Sequence, residues 1–185
     1  MGLGKNPNTV GQWFNNGREL FRKGKLKEAL ECFDKALEIN SNDFESWRNK
    51  GAVLLNLGNH REALECYEKA LEINPNDPKS WCGKGVALDM LGNPQGALEC
   101  FDKALEINPN YFPAWSGKGV ALGTLGKYQE AITCYDKALG IDPTWEGAKI
   151  LRQKAIKFLR KAHEETRKEV SPKVKKNAKK KPKRR

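Results

Sequence analysis

The chain has few of the features that mark enzymes, membrane proteins or secreted proteins. Its 185 residues include only two histidines, and no apolar run approaches the roughly eighteen residues that a membrane helix needs. The segment 1–14 contains no apolar stretch that could act as a secretory signal. Hydrophobic residues make up 38% and charged residues 31%, which suits a globular protein. We expect the protein to be intracellular and cytoplasmic, or nuclear in a eukaryote.

Patterns typical of catalysis or cofactor binding are also missing. His60 and His163 belong to no recognisable set with a nucleophilic serine or cysteine. The pair Gly126 and Lys127 lacks the upstream glycine of a phosphate loop, and the glycines around Lys84 lack the third glycine of a dinucleotide turn. We therefore predict that the protein is not an enzyme and that it holds no cofactor and no metal.

What the sequence does contain is a repeat of 34 residues. Trp13, Trp47, Trp81 and Trp115 are separated by this step, and glycine, alanine and aromatic residues recur with them. The repeat divides the chain into four units: 10–43, 44–77, 78–111 and 112–145. A unit of this size cannot bury its apolar face alone, so we expect consecutive units to stack on one another.

Each unit has the pattern of two helices, which we name A and B. In the second unit Trp47, Gly51 and Leu54 fall at i, i+4 and i+7, which places them on one face of helix A. Gly58 follows where helix A should end, and a left-handed position favours glycine there. Pro75 closes helix B, because the residue before a proline is pushed out of the α region.

This pattern resembles the tetratricopeptide repeat, whose signature places Trp, Leu, Gly, Tyr, Ala, an aromatic residue, Ala and Pro at fixed offsets. The match covers the four whole units, with a few departures. These are Asn16, Lys50, Lys84 and Lys118 before the glycine, leucine in place of tyrosine in helix A, and Ser41 in place of the first closing proline. The resemblance implies an all-α, right-handed superhelical solenoid of antiparallel helix pairs. It also implies a protein–protein interaction adaptor or scaffold.

In the family, helix A of each unit faces a concave groove that holds a peptide or a partner helix. In the first two units the groove positions implied by the resemblance include Phe14, Asn15, Arg18, Arg22, Arg48, Asn49 and Ala52. In the last two units they include Lys79, Cys82, Gly83, Val86, Asp89, Met90, Ser116, Gly117, Val120, Gly123 and Thr124. Guanidinium and amide groups in the first half suit carboxylates. We predict that this half binds an acidic or polar end of a peptide and that the second half binds its apolar side chains. We also expect the glycines of the second half to let a ligand helix or extended chain approach the backbone closely.

Two other interpretations of the groove remain open. Some members of the family grip the terminal carboxylate of chaperone tails with lysine, asparagine and arginine. The equivalent positions here hold Phe14, Arg18, Asn49, Lys79 and Gly83, of which three fit, so a chaperone tail is a minority interpretation. The other alternative is a spacer that binds no groove ligand.

Four of the five cysteines follow the repeat and are not clustered. Cys32, Cys66, Cys100 and Cys134 recur at the 34-residue step on helix B, without the close spacing of metal ligands. We interpret them as small apolar residues of the core. Cys82 is the only cysteine on a helix A, and we predict that its thiol is the one open to a ligand.

The C-terminal end differs from the repeats in charge. Residues 1–145 carry a net charge of −2 and residues 146–185 carry +13. The segment 146–170 is predicted to be a capping helix that covers the fourth unit with Ile150, Leu151, Ala155, Phe158, Leu159 and Ala162. The residues before the repeats, 1–9, are predicted to be a flexible N-terminus.

The segment 171–185 is predicted to be a disordered basic tail. Its cations suit non-specific binding to phosphates of nucleic acid, and it lacks aromatic residues for base stacking. They are Lys173, Lys175, Lys176, Lys179, Lys180, Lys181, Lys183, Arg184 and Arg185. The alternative function is thus a nucleic-acid-associated protein, for example on RNA or the ribosome, with the repeats as scaffold. A nuclear import signal, a tether to anionic membranes and a merely solvated tail also fit this run. We expect a monomer or weak self-association.

Overall fold

A computed structural model describes the backbone of residues 9–178 and the side chains of residues 9–167. This part of the chain forms nine α-helices and no strand. The helices are α1 (Val10–Arg22), α2 (Leu26–Ile39), α3 (Phe44–Leu57), α4 (His60–Ile73), α5 (Pro78–Met90), α6 (Pro94–Ile107), α7 (Phe112–Thr124), α8 (Tyr128–Ile141) and α9 (Glu146–Ala178). The first eight helices form four pairs, one in each 34-residue unit. The predicted all-α solenoid of helix pairs is confirmed.

The helices end at the residues that the sequence pattern indicates. Gly24, Gly58, Gly92 and Gly126 follow the four A helices with φ between 74° and 82°, a region in which an L side chain is strained. Asn74 and Asn108 precede prolines and have extended backbone, so α4 and α6 stop one residue earlier. Each unit is therefore a pair of helices whose ends are defined by the sequence.

The core is built around one aromatic ring from each B helix. Phe33, Tyr67, Phe101 and Tyr135 are all almost fully buried. The Phe101 ring lies against Gly85 of its own unit and also against Gly117 of the next unit. Such a ring therefore fills the space between two successive A helices and joins neighbouring units.

Contacts between helices show which side of the solenoid is concave. The A helices α1, α3, α5 and α7 each contact the next A helix, and α7 contacts α9. By contrast, no B helix in the described part contacts the next B helix. Elements on the inside of a curved array lie closer together than those outside, so the A helices form the concave layer.

Ion pairs connect each B helix to the A helix that follows it. They occupy equivalent positions in successive units and involve the lysines that depart from the family signature. The pairs are Lys50–Asp34, Lys84–Glu68, Lys118–Asp102 and, into the last helix, Arg152–Asp136. The Lys50 ammonium also lies 5.4 Å from the ring centroid of Trp47. Each pair is partly exposed and contributes up to about 1 kcal/mol, so together they favour one register of the stack.

Helix α9 covers the fourth unit with part of the predicted face, since Leu151, Ala155 and Leu159 pack on the core. Ala148 and Ala155 are buried, and Ile156 packs on the core. Ile150 and Phe158 are 55% and 53% exposed, although both were predicted to be covered. The reason is the angular position on the helix: Ala148, Leu151, Ala155 and Leu159 fall on one stripe at helical spacing, and Ile150 lies on the other side of the helix.

Helix α9 also continues to Ala178, beyond the predicted end of the capping helix at 170. Lysine and alanine are good helix formers, and the helix continues although Pro172 removes one backbone hydrogen bond and its ring disfavours the preceding turn. This differs from the prediction of disorder from 171. Residues 1–8 and 179–185 lie outside the described residues, and so do the side chains of 168–178. No helix of the described part is long and apolar enough to cross a membrane.

Candidate functional site

The candidate site is the concave face of α1, α3, α5 and α7, which we call the groove. We divide it into an N-terminal half on α1 and α3 and a C-terminal half on α5 and α7. No metal-binding group of three or more His, Cys, Asp or Glu side chains occurs among the described residues. The chemistry available to the groove is therefore that of its exposed cations, amides and apolar side chains.

The unpaired cations of the N-terminal half lie on α1. Arg18 and Arg22 are exposed and form no ion pair within the part of the chain that the structure describes. The Arg18 guanidinium lies 5.6 Å from the ring centroid of Phe14, and Phe14 packs edge-on against Phe33 at 6.0 Å. A guanidinium held on an aromatic face keeps its donors free for a carboxylate.

Arg48, in contrast, is already neutralised. Its Nη1 donates to both carboxylate oxygens of Asp77 at 3.2 Å, and its Nη2 donates to Glu45 at 3.2 Å. Asp77 is also the N-cap of α5, accepting hydrogen bonds from the backbone N–H and the hydroxyl of Ser80. Arg48 therefore connects the second unit to the third, and this partner escaped the sequence analysis although Asp77 and Ser80 have capping spacing.

Cys82 and Ser116 are equivalent residues and are buried, with 7% and 3% of their surfaces exposed. The prediction that the Cys82 thiol is open to a ligand is wrong. Burial raises the pKa of Cys82 to about 12, and the thiol adds to the raised pKa of the nearby Tyr67 and Tyr111 phenols. Cys82 thus lies near Tyr67 of the preceding unit and Tyr111, the N-cap of α7.

The cysteines are expected to be chemically inert in the folded protein, because the thiolate is the reactive species. Burial raises the pKa of Cys66 and Cys100 to about 11 and also raises that of Cys32 and Cys134. We predict that Ellman's reagent at pH 8 labels no cysteine in the native protein and all five in denaturant. Fast labelling of one native thiol that disappears in Cys82→Ser would contradict this.

Two glycines of the C-terminal half do not leave open space as the sequence suggested. A Cβ added at Gly83 would lie 2.2 Å from Cζ of Tyr67, and one added at Gly117 would lie 2.4 Å from Cε1 of Phe101. The chain's own aromatic rings occupy the space that was expected to admit a ligand backbone. Of the groove glycines, only Gly123 has nothing within 4 Å of an added Cβ, so close approach of a ligand is confined to that end of α7.

The remaining predicted groove residues lie on the A helices and are at least partly exposed. Met90 is 57% exposed, and Val86 and Val120 are half-buried against the core. The Asn49 side chain donates to the backbone oxygen of Glu45, which leaves its own amide oxygen available. The others are Asn15, Ala52, Lys79 and Thr124. The nine tail cations from Lys173 to Arg185 lie outside the described side chains.

Comparison with protein families identifies the repeat. The pattern described as Tetratricopeptide repeat matches residues 44–77, 78–111 and 112–144, and a second pattern described as TPR repeat matches residues 17–58. Together these matches cover residues 17–144, from the middle of α1 to the end of α8. No curated protein matches the sequence.

Solved structures share the fold. TTC0263, a thermophilic TPR protein from Thermus thermophilus, is 21% identical with a TM-score of 0.73, over 92% of this chain and 98% of that chain. YrrB, a TPR protein with an unusual peptide-binding site, is 28% identical with a TM-score of 0.61, over 81% and 82% of the two chains. The first TPR of Spaghetti (RPAP3), bound to the HSP90 peptide SRMEEVD, is 26% identical with a TM-score of 0.61, over 65% and 96%.

Proposed function

The chain belongs to the tetratricopeptide repeat family, and from this premise we propose that its groove binds a peptide or a helix of a partner protein. The protein would thus act as an interaction scaffold. The proposal rests on exposed side chains of the A-helix layer that have no ion-pair partner within the described part of the chain. Arg18 and Arg22 form no ion pair within the described residues, and Met90, an adaptable apolar side chain, remains 57% exposed on the same face.

Two of the similar structures support this proposal. YrrB has a peptide-binding site, and the first TPR of RPAP3 holds a peptide that carries several acidic residues and a methionine. The groove of this chain offers complementary chemistry, since unpaired guanidinium groups lie on α1 and apolar side chains on α5 and α7. We propose that an acidic or polar stretch of the ligand binds near Arg18 and that apolar side chains bind near Val86 and Val120.

A full carboxylate clamp is not part of the proposal. Of the five clamp positions, Arg18, Asn49 and Lys79 carry suitable groups, whereas Phe14 and Gly83 do not. The Tyr67 ring leaves no space at Gly83 for a longer side chain. The proposed ligand is therefore defined by its acidic and apolar parts and need not end in a free carboxylate.

The proposal predicts that Val86→Arg with Val120→Arg abolishes partner binding, because two half-buried cations would replace the apolar centre of the groove. The measurement is a pull-down with the chain of residues 1–185 from nuclease-treated lysate at about 0.3 M salt, which screens tail contacts. Bound proteins are identified by mass spectrometry and confirmed with a purified partner.

The matched control adds the same two charges to the same two units on the outer surface. Gln95 on α6 and Thr133 on α8 are exposed, so Gln95→Arg with Thr133→Arg should retain the partner. Circular dichroism of both variants checks that the helices remain. Equal binding by the groove variant and this control would refute the groove as the binding surface.

A second candidate function rests on the charge of +13 carried by residues 146–185. In this case the tail binds nucleic acid and the repeats serve as its scaffold. Deleting 179–185 and raising the salt should then both weaken binding to an RNA oligomer. The logarithm of the affinity should fall by about 0.7–0.9 per log unit of salt for each phosphate contacted. Groove binding should survive the deletion.

We propose a non-enzymatic role in the cytoplasm. The five cysteines are free thiols in the structure, which suits a reducing compartment. Loss of partner binding in the groove variant, with no catalytic activity of the purified protein gained or lost, would fit this assignment.

A further inference from the structure

One carboxylate in the groove has a buried oxygen atom that forms no hydrogen bond with the described residues. Asp89 lies on α5 and is half-buried, and its Oδ1 is buried without a hydrogen-bond partner among the described residues. Only one other side-chain atom of this part, Nδ1 of His60, shares that condition. Buried polar atoms are nearly always hydrogen-bonded in native proteins, so each exception requires an explanation.

The surroundings of Asp89 disfavour a negative charge. Burial raises the pKa of its carboxyl group. The residue stands in the last turn of α5, which has no basic residue to offset the negative end of the helix dipole. Its charge also contributes to the raised pKa of Tyr135. The described chain thus provides no cation that would compensate this carboxylate.

The fold does not need a carboxylate at this position. The equivalent residues of the other units are Phe21, Leu55 and Gly123, and the first two pack on the core of their units. Asp89 therefore replaces an apolar contact by an uncompensated charge. A residue that lowers the stability of the fold and gains no contact within it is typical of a functional site.

The space next to Asp89 is open to a ligand. Equivalent residues of neighbouring A helices stand at the same level, so Gly123 of α7 lies beside Asp89, and nothing lies within 4 Å of a Cβ added there. Val86 stands one turn before Asp89 on the same face of α5, and its equivalent Val120 lies on α7; both are half-buried against the core. The site combines one unpaired anion with an apolar wall.

We propose that Asp89 binds a lysine or arginine side chain of the segment held in the groove. The aliphatic stem of that side chain packs on Val86 and Val120, as such stems do on apolar surfaces, and its cation pairs with the accessible side of the Asp89 carboxylate, whose buried Oδ1 has no partner of its own among the described residues. The inference rests on the proposed groove function and adds the ligand's charge pattern. An acidic stretch near Arg18 and a basic residue near Asp89 would fix the direction in which the segment lies.

The test is selection of random peptides, about twelve residues long, on the chain of residues 1–185 at about 0.3 M salt. Peptides that also bind the Val86→Arg, Val120→Arg variant are discarded. The wild type should enrich lysine or arginine next to apolar residues. Asp89→Asn should bind the selected peptides about tenfold to a hundredfold more weakly, and Asp89→Lys should select glutamate or aspartate at the same place.

The outcomes separate this inference from the proposed function. Groove-dependent peptides without a basic residue, or with the same consensus on Asp89→Asn, would overturn the Asp89 site and leave the groove function intact. Recovery of no groove-dependent peptide would overturn both.

A second measurement uses the free protein. Asp89→Asn and Asp89→Leu should raise its melting temperature, because they remove an unpaired charge. The control is Asp142→Asn, whose carboxylate accepts hydrogen bonds from the backbone and hydroxyl of Thr144 and should not gain stability. A fall in melting temperature for both Asp89 variants would show that the carboxylate has a partner within the chain, and the inference would fail.

Discussion

Phe101→Ala is expected to lower the free energy of unfolding by about 3–5 kcal/mol, the range for removing a fully buried phenylalanine. The Phe101 side chain is only 1% exposed. Its ring lies against Gly85 of α5 and Gly117 of α7, so its loss would leave a cavity between two units. The glycines on both sides have no side chains, so they cannot fill that cavity.

Denaturant unfolding followed by circular dichroism measures this effect. The control is Ile107→Ala at the end of the same helix, where the isoleucine is 37% exposed and the loss should be well below that of Phe101→Ala. Because each unit of a solenoid contacts only its neighbours, the Phe101 variant should also show a broader transition as the two halves unfold separately. Equal losses for both variants would contradict the role of the ring as the connection between units.

The architecture could be predicted from the sequence because its determinants lie within one unit. The Trp47, Gly51 and Leu54 spacing defines helix A, Gly58 ends it, and the Asn-Pro step at 74–75 ends helix B. Each of these signals acts over a few residues and is repeated at the 34-residue step. Local signals that agree with the global fold in this way specify a structure strongly.

Contacts between units were harder to predict from the sequence than the helices themselves. Lys50 was interpreted only as a departure from the family signature, whereas its ammonium lies 2.6 Å from the carboxylate of Asp34. Arg48 was assigned to the groove, whereas it bonds Asp77 of the following helix cap. Which face of an A helix meets the next unit depends on the angle between units, and the period within one unit does not define that angle.

The same limit explains the errors over Cys82 and the groove glycines. A small residue on helix A looks the same in sequence whether a ligand or the chain's own aromatic ring fills the space above it. The Tyr67 ring reaches past its own unit to Gly83. Sequence periodicity gives the face of a helix, but not which neighbour covers it. The orphaned oxygen of Asp89 could be found only once those neighbours were placed.

Gly83→Ala is expected to lower the free energy of unfolding by about 1–3 kcal/mol, the usual cost of inserting an atom into a packed core. An alanine in the middle of a helix would by itself be more stable than glycine by about 0.5–1 kcal/mol. The predicted sign is opposite because the new Cβ would lie 2.2 Å from Cζ of Tyr67, and that ring is buried and cannot move into solvent.

Gly123→Ala provides the matched comparison, since it makes the same change on the next A helix where nothing lies within 4 Å. It should increase stability by about 0.5–1 kcal/mol, so the two glycines should respond with opposite signs in the same thermal or denaturant experiment. Combining Gly83→Ala with Tyr67→Leu tests the cause, because removal of the ring should make the alanine nearly harmless. If Gly83→Ala stabilised the protein, the Tyr67 ring would not form the base of the groove, and a longer side chain at 83, as a carboxylate clamp needs, would become acceptable.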